Sequence, residues 1–558
     1  MTSADDTTTR AAGPVAPADP KQRRSAVLDT AHLGDIEGAF GRISVGESEH
    51  GRTWKTRLLT LLAIVGPGII VMVGDNDAGG VATYAQAGQN YGYSLLWVLL
   101  LLIPVLIVNQ EMVVRLGAVT GVGHARLINE RFGRGWGWFS VGDLFLLNFL
   151  TIVTEFIGIS LAAEYIGVSK YVVVPISALA LVAIMASGSF RRWERAMFVF
   201  IAVTLLQIPM LLMSHPQWGQ AVKSFVIPSI SGGISSDAVL LIIAIVGTTV
   251  APWQLFFQQS NVVDKRITPR FMAYERADTV LGAFVVVVGA AALVMTGEWA
   301  ARSTNTTGGF TDAGAVAHLL GQNRAALGNI FAIVLMDASI IGAAAVTLAT
   351  SYAFGDVFGL KHSLHRGFAD AKQFYLSYTA MVALAAGIVL IPGAPLGLIT
   401  TAVQALAGLL LPSASVFLLL LCNDREVLGP WVNRTWLNWL AGVIVGVLLL
   451  LSGILMATTL FPKIDVVAVA GYLALVMVVG GVAAGPALRW MSRRQPSAPR
   501  PQPPARPVDR STWRMPPLTL LEPVTWSPGT RLAMIALRSY LVAGALLLVV
   551  KAVQLGHG

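Results

Sequence analysis

A single cysteine, Cys422, stands in a chain of 558 residues. This excludes an intrachain disulfide and any cysteine-based metal cluster. Charge is scarce as well: Asp, Glu, Lys and Arg make up 12% of the chain, where soluble domains carry about 25%. With 55% hydrophobic residues and a mean hydropathy of +0.68, the chain reads as an all-α polytopic membrane protein. No charged segment followed by a short apolar core opens it, so no cleavable signal peptide is expected. Residues 1–30, rich in Thr, Ala, Pro and charge, read as disordered. The eight histidines show no metal-ligand spacing, and His362 and His365 are expected to be solvated in a cytoplasmic loop. A net charge of +9, from 39 basic and 30 acidic residues, fits cytoplasmic loops and not a nucleic-acid surface.

Apolar stretches of roughly 20 residues recur from about 57 to 488 and count to about twelve spans. The expected division is a cytoplasmic, mostly disordered tail over 1–52 and a transmembrane domain over 53–490. A Pro/Arg-rich linker over 491–529 and a final apolar helix over 530–558 follow. The stretch 531–553, interrupted by Arg538, fits a thirteenth span or an interfacial helix equally. Basic residues fall in alternate loops: Lys55 and Arg57, then Arg126 and Arg131, Arg191 and Arg192, Lys265 and Arg266, Lys361 and Arg366, Arg425 and Arg434. The positive-inside rule then puts the N-terminus in the cytoplasm, in a plasma-membrane protein.

Two spans are interrupted. Gly66–Gly92 begins as an apolar helix, then places Asp75, Asn76 and Asp77 directly before Ala78, Gly79 and Gly80. Ionisable groups inside a span are costly, and adjacent glycines weaken a helix by about 1 kcal/mol each. Their combination reads as a broken membrane helix whose freed carbonyls and Asp oxygens line a cation site; helix-capping aspartates at a hinge are the plainer alternative. The second break, AIVGTTVAPWQLFFQQS, lies five spans later, where Pro252 removes a backbone donor. Carbonyls around Thr248 to Ala251 are expected to face Asp77 from there. Broken helices five spans apart point to two inverted five-helix repeats with a midplane site between them.

These residues resemble the Nramp family of divalent-metal transporters over roughly 55–460. Gly66-Pro67-Gly68 looks like the start of its first span, and Asp77-Ala78-Gly79-Gly80 falls on its Asp-Pro-Gly-Asn motif. Thr154-Glu155-Phe156-Ile157-Gly158 is similar to its third-span Glu-Val-Ile-Gly. Gln404, before Pro412, resembles its tenth span. The resemblance implies a LeuT-like fold with discontinuous helices 1 and 6, a transporter and not an enzyme, no cofactor, and a divalent metal ion as substrate. A monomer in the lipid bilayer is expected.

Several positions depart from the family pattern. Its Asn is Gly80, and its span-6 Met-Pro-His is Ala251-Pro252-Trp253. A further histidine is Gln258, and a third-span Asp falls on Ile152. Asp75 is an added carboxylate. Without the thioether, a soft ligand, the set is all oxygen: Asp77, Asp75, Thr248, Thr249 and freed carbonyls, with Gln404 within reach and Gly80 and Ala251 widening the cavity. Mg²⁺ prefers oxygen and keeps its waters, and the pattern resembles the magnesium-carrying branch of the family, which also takes Mn²⁺. Trp253, Gln258 and Ile152 do not titrate near neutral pH, so uncoupled entry is expected. The competing readings are a proton-coupled Mn²⁺ or Fe²⁺ importer, a non-transporting metal sensor, and a membrane aspartyl protease using Asp75 and Asp143. For Asp143 and Asp337 transport and structural roles stay equally open, and Trp253 reads as packing.

Overall fold

The computed structural model describes residues 30–44, 53–393, 396–461, 464–493, 510–521, 524, 531–532, 534–540 and 542. Twenty α-helices follow one another. The first ten are α1 Trp54–Ile64, α2 Pro67–Gly74, α3 Ala78–Tyr91, α4 Leu96–Thr120, α5 His124–Phe132, α6 Arg134–Tyr165, α7 Lys170–Met185, α8 Phe190–Thr204, α9 Gln207–Met213 and α10 Trp218–Val226. Then come α11 Ser236–Thr249, α12 Pro252–Asp264, α13 Met272–Thr304, α14 Ala313–Asn323, α15 Ala325–Phe358, α16 Lys372–Val389, α17 Leu396–Cys422, α18 Arg425–Leu428, α19 Thr435–Leu460 and α20 Val466–Arg493. Among the described residues, seven helices are long and apolar enough to cross a membrane, and nine if two sharply bent pairs each count as one span. The expected count of about twelve spans is higher than this; the two expected interruptions are gaps between helices, Asp75–Asp77 between α2 and α3 and Val250–Ala251 between α11 and α12. One five-helix unit opens with α1–α3 and the other with α11–α12, in an inverted-repeat arrangement; α19 and α20 are additions.

Small residues set the packing distance, since helices in lipid associate through close backbone approach. A Cβ at Gly88 of α3 would lie 2.0 Å from the Val294 carbonyl of α13, and one at Gly297 would lie 2.5 Å from that of Ala85. The pair α3 and α13 therefore meets backbone to backbone.

The first span has a second bend, of 49°, between α1 and α2. Helix ends leave carbonyls and amides without intrahelical partners, and opposite charges satisfy each side here. Lys265 donates to the Ile64 and Val65 carbonyls at 2.6 and 2.9 Å and pairs with Glu194 at 2.6 Å. Asp278 accepts from the Gly66, Gly68 and Ile69 amides at 3.1, 2.7 and 3.2 Å. A Cβ at Gly66 would sit 2.0 Å from Glu194 Oε1, so only glycine fits between.

Three segments carry more structure than expected. Within the tail, β1 Ile36–Gly38 and β2 Gly41–Ile43 form an antiparallel hairpin. Ile36 and Ile43 are buried with Ala63 and Ile64 of α1. Residues 1–29 and 45–52 of the tail lie outside the described residues. Within the linker, Arg514 donates to the Ala118 carbonyl and the Met515 amide to that of Val119, at 2.9 and 3.2 Å, docking 510–521 on the end of α4. The expectation of solvated His362 and His365 is corrected. His362 is 4% exposed and lies 3.1 Å from Asp356, while His365 stacks on Phe190. Burial alone would lower the His362 imidazolium, but the hydrogen bond and charge of Asp356 reverse this and hold it above its ordinary value. Most of the apolar stretch 531–553 lies outside the described residues.

Candidate metal-ion site

The two gaps face one another. Asp77 is the N-cap of α3: its Oδ1 accepts from the Gly80 amide at 2.7 Å. Capping is therefore real, yet Asp77 sits deep in the protein at 3% exposure, where a cap alone does not require a carboxylate. Glu155 of α6 accepts from the Ala78 amide at 3.1 Å through Oε2, while its Oε1 has no partner. Gly342 of α15 lets the two acids converge, since a Cβ there would lie 2.7 Å from Glu155 Cδ and 2.9 Å from Asp77 Cβ.

Gly80 serves the opposite gap. A Cβ there would be 2.6 Å from the Asp75 carbonyl and 3.4 Å from Thr248 Oγ1. The Thr248 hydroxyl is buried without a hydrogen-bond partner. Thr249 is committed: it donates to the Ile245 carbonyl at 2.6 Å and accepts from Tyr84 at 2.7 Å. Of the Thr248–Ala251 carbonyls, two already accept from Gln254, that of Thr249 from Nε2 at 3.1 Å and that of Ala251 from the backbone amide at 3.3 Å. Ala251, the buried N-cap residue of α12, adds only a methyl group.

Asp75 is 0% exposed. Gln254 donates to its Oδ1, Gln110 of α4 donates to Gln254 Oε1 at 2.8 Å, and Asp75 Oδ2 has no partner. Gln404 of α17 lies across the first turn of α3, where a Cβ at Gly79 would be 1.6 Å from its Nε2. The structure thus brings Asp75, Asp77, Gly80, Thr248, Thr249, Ala251 and Gln404 around the paired gaps. A space of about 10 Å³, room for a single water, lies beside Ala78 and is lined by Thr154, Thr400 and Asp312.

Sequence reasoning passed over Gln254 and Gln110. The signal was available: Gln254, Gln258, Gln259 and Asn261 are four amides on one apolar span, and all are 0% exposed. Asp143 and Asp337 have their own hydroxyl partners, Ser413 at 3.2 Å and Thr204 at 2.9 Å. Trp253 packs as expected, 1% exposed and with its ring 5.9 Å from that of Phe257.

Among curated proteins, the chain is 28% identical over 410 residues to the divalent metal cation transporter MntH of Burkholderia ambifaria, covering 70% of this chain and 89% of that one. The protein of the same name from Lacticaseibacillus paracasei is 25% identical over 472 residues, with 79% and 98% covered. A crystal structure of the Eremococcus coleocola manganese transporter superposes with a TM-score of 0.59 at 21% identity, covering 80% of this chain and 97% of that one. The shared architecture is the LeuT-like fold. The model of the natural resistance-associated macrophage protein-like family matches residues 68–458. With that match spanning most of its length, and with the two broken helices and Asp77 lying inside it, the chain belongs to the Nramp family.

Proposed function

We propose that the chain imports divalent metal cations across the plasma membrane by alternating access, holding the ion between the two helix breaks. The observation that carries this reading is that, among the described residues, Asp75 Oδ2 and Thr248 Oγ1 at the two breaks and Glu155 Oε1 beside the capped Asp77 are buried without a hydrogen-bond partner. Such groups in a membrane interior need a cation or water to be tolerated. Mg²⁺ is the preferred substrate, because Ala251 offers no sulfur and the remaining oxygens are the ligands Mg²⁺ takes while keeping part of its hydration shell. Mn²⁺ is the second reading, favoured by the manganese transporter that shares the fold; it shares the oxygen preference of Mg²⁺.

Flux into proteoliposomes tests both parts. Mg²⁺ uptake is expected, with loss of at least nine-tenths of it, about 1.4 kcal/mol or more, in Asp77→Ala. Mn²⁺ uptake that a large excess of Mg²⁺ leaves untouched rejects the magnesium preference. Binding of metal by the purified protein without any flux rejects transport and leaves a sensor.

A further inference from the structure

A cleft of about 420 Å³ opens where α4, the start of α13, the 429–434 turn, the start of α19 and the docked 510–521 segment meet. Its polar lining is Glu111, Arg115, Arg276, Arg434 and Arg510, four guanidiniums to one carboxylate. Glu111 serves two of them, Arg276 at 2.7 Å and Arg115 at 3.2 Å. Arg115 spends its remaining reach on the Trp431 carbonyl and Asn433. Among the described residues, Arg510 donates to the neutral Pro430 carbonyl and stacks 5.2 Å over Trp431. Arg434 is exposed and, among the described residues, its side chain has no hydrogen bond or ion pair. The cleft therefore presents a formal surplus of three positive charges, four minus one, with those of Arg434 and Arg510 unanswered by any carboxylate among the described residues.

Its surroundings place it at the edge of the bilayer. Trp436 and Trp439, in the first turn or so of α19, are 61% and 74% exposed, and exposed indoles at the end of an apolar helix mark the headgroup level. Beyond Trp439 an apolar groove of about 530 Å³ runs between α19 and α20, past Gly442 and Gly446 to Val447 and Met477. From Thr435 to Val447 it follows twelve residues of helix, roughly 18 Å at 1.5 Å each. A Cβ at Gly442 would meet nothing within 4 Å, so the groove is open there. A cationic cleft at headgroup level, one helical turn from an apolar channel along the same helix, matches the two ends of one kind of molecule.

We propose that this cleft and groove bind an anionic phospholipid, with the headgroup phosphate between Arg434 and Arg510 and an acyl chain along Gly442 and Gly446. Juxtamembrane basic residues attract anionic lipid by about 1 kcal/mol each, or about fivefold in affinity. The lipid ties α19 and the C-terminal segment to the end of α4.

The full-length protein in detergent, titrated with phosphatidylglycerol, phosphatidylcholine or inorganic phosphate and read by native mass spectrometry and thermal melting, tests this. Phosphatidylglycerol is expected to bind and raise the melting temperature where phosphatidylcholine does not. Arg434→Ala, which removes an exposed side chain with no protein partner, is expected to weaken it about fivefold, and Arg434→Ala with Arg510→Ala about 25-fold. Gly442→Leu fills the groove without touching charge and is expected to weaken phosphatidylglycerol while leaving inorganic phosphate unchanged. Unaltered phosphatidylglycerol affinity in the double variant overturns the cleft. Equal stabilisation by inorganic phosphate overturns the lipid assignment.

Discussion

Ala251 is where one side chain decides most about the ion. It caps α12 with its Cβ buried at the gap and no side-chain donor or acceptor of its own. A thioether at this point would add a soft ligand to an all-oxygen set and favour transition metals over hard cations. Ala251→Met is therefore expected to shift the ratio of Mn²⁺ to Mg²⁺ uptake about tenfold toward Mn²⁺, one good ligand contact of ~1.4 kcal/mol. Parallel flux assays of the two ions measure it, and an unchanged ratio means that the ion does not lie against residue 251. The residues of this site were legible to unequal degrees. Asp77 and Gly80 stood out because a carboxylate followed by glycines inside an apolar run has no cheap explanation. Gln254 and Gln110 did not, because an amide in a membrane helix is equally explained by a helix–helix hydrogen bond. Only the fold shows that this particular bond ends on Asp75.

At the level of elements, the bend between α1 and α2 carries a buried charge on each side. Lys265 and Glu194 both have side chains at 0% exposure, and Lys265 also holds the Ile64 and Val65 carbonyls at the end of α1. Removing one partner of a buried pair leaves the other charge without compensation, at a cost of about 3–5 kcal/mol. Lys265→Met is expected to lower the melting temperature in detergent sharply. Adding Glu194→Gln removes the stranded charge and is expected to restore part of the loss. If the double variant melts below the single one, Glu194 is stabilised by something other than Lys265, such as the Ala39 amide that also donates to it. Apolar runs bounded by Gly and Pro announced the helices and both gaps, since those residues act on the backbone locally. The hairpin at 36–43 and the docking of 510–521 were not legible. Their anchors are long-range contacts, Ile36 and Ile43 on α1 and Trp513 over Gly429, and the flanking polar sequence has the composition of a solvated tail. His362 was misjudged for the same reason, its partner Asp356 being hidden in the end of α15.

For the molecule as a whole, the question is what drives the ion. The three positions where the family pattern carries titratable groups hold none here, and the structure gives each another occupation. Ile152 is 0% exposed. Trp253 fills the space beside Gly74, where a Cβ would be 3.2 Å from its ring. Gln258 donates to Thr279 at 3.1 Å. None of these groups changes charge near neutral pH, and we propose on that ground that the membrane potential drives the ion. A divalent ion crossing 100 mV gains about 4.6 kcal/mol, twice the single-charge value, enough for an accumulation on the order of two-thousandfold at equilibrium. Proteoliposomes with an imposed inside-negative potential are expected to take up Mg²⁺ in proportion to that potential, to stop when it is collapsed, and to show no change in lumenal pH. Glu155 and Asp75 are the carboxylates that remain beside Asp77, and each keeps one oxygen without a partner. Lumenal acidification that tracks metal entry, and that disappears in Glu155→Gln while some metal flux persists, would make Glu155 a proton carrier and replace uniport with symport.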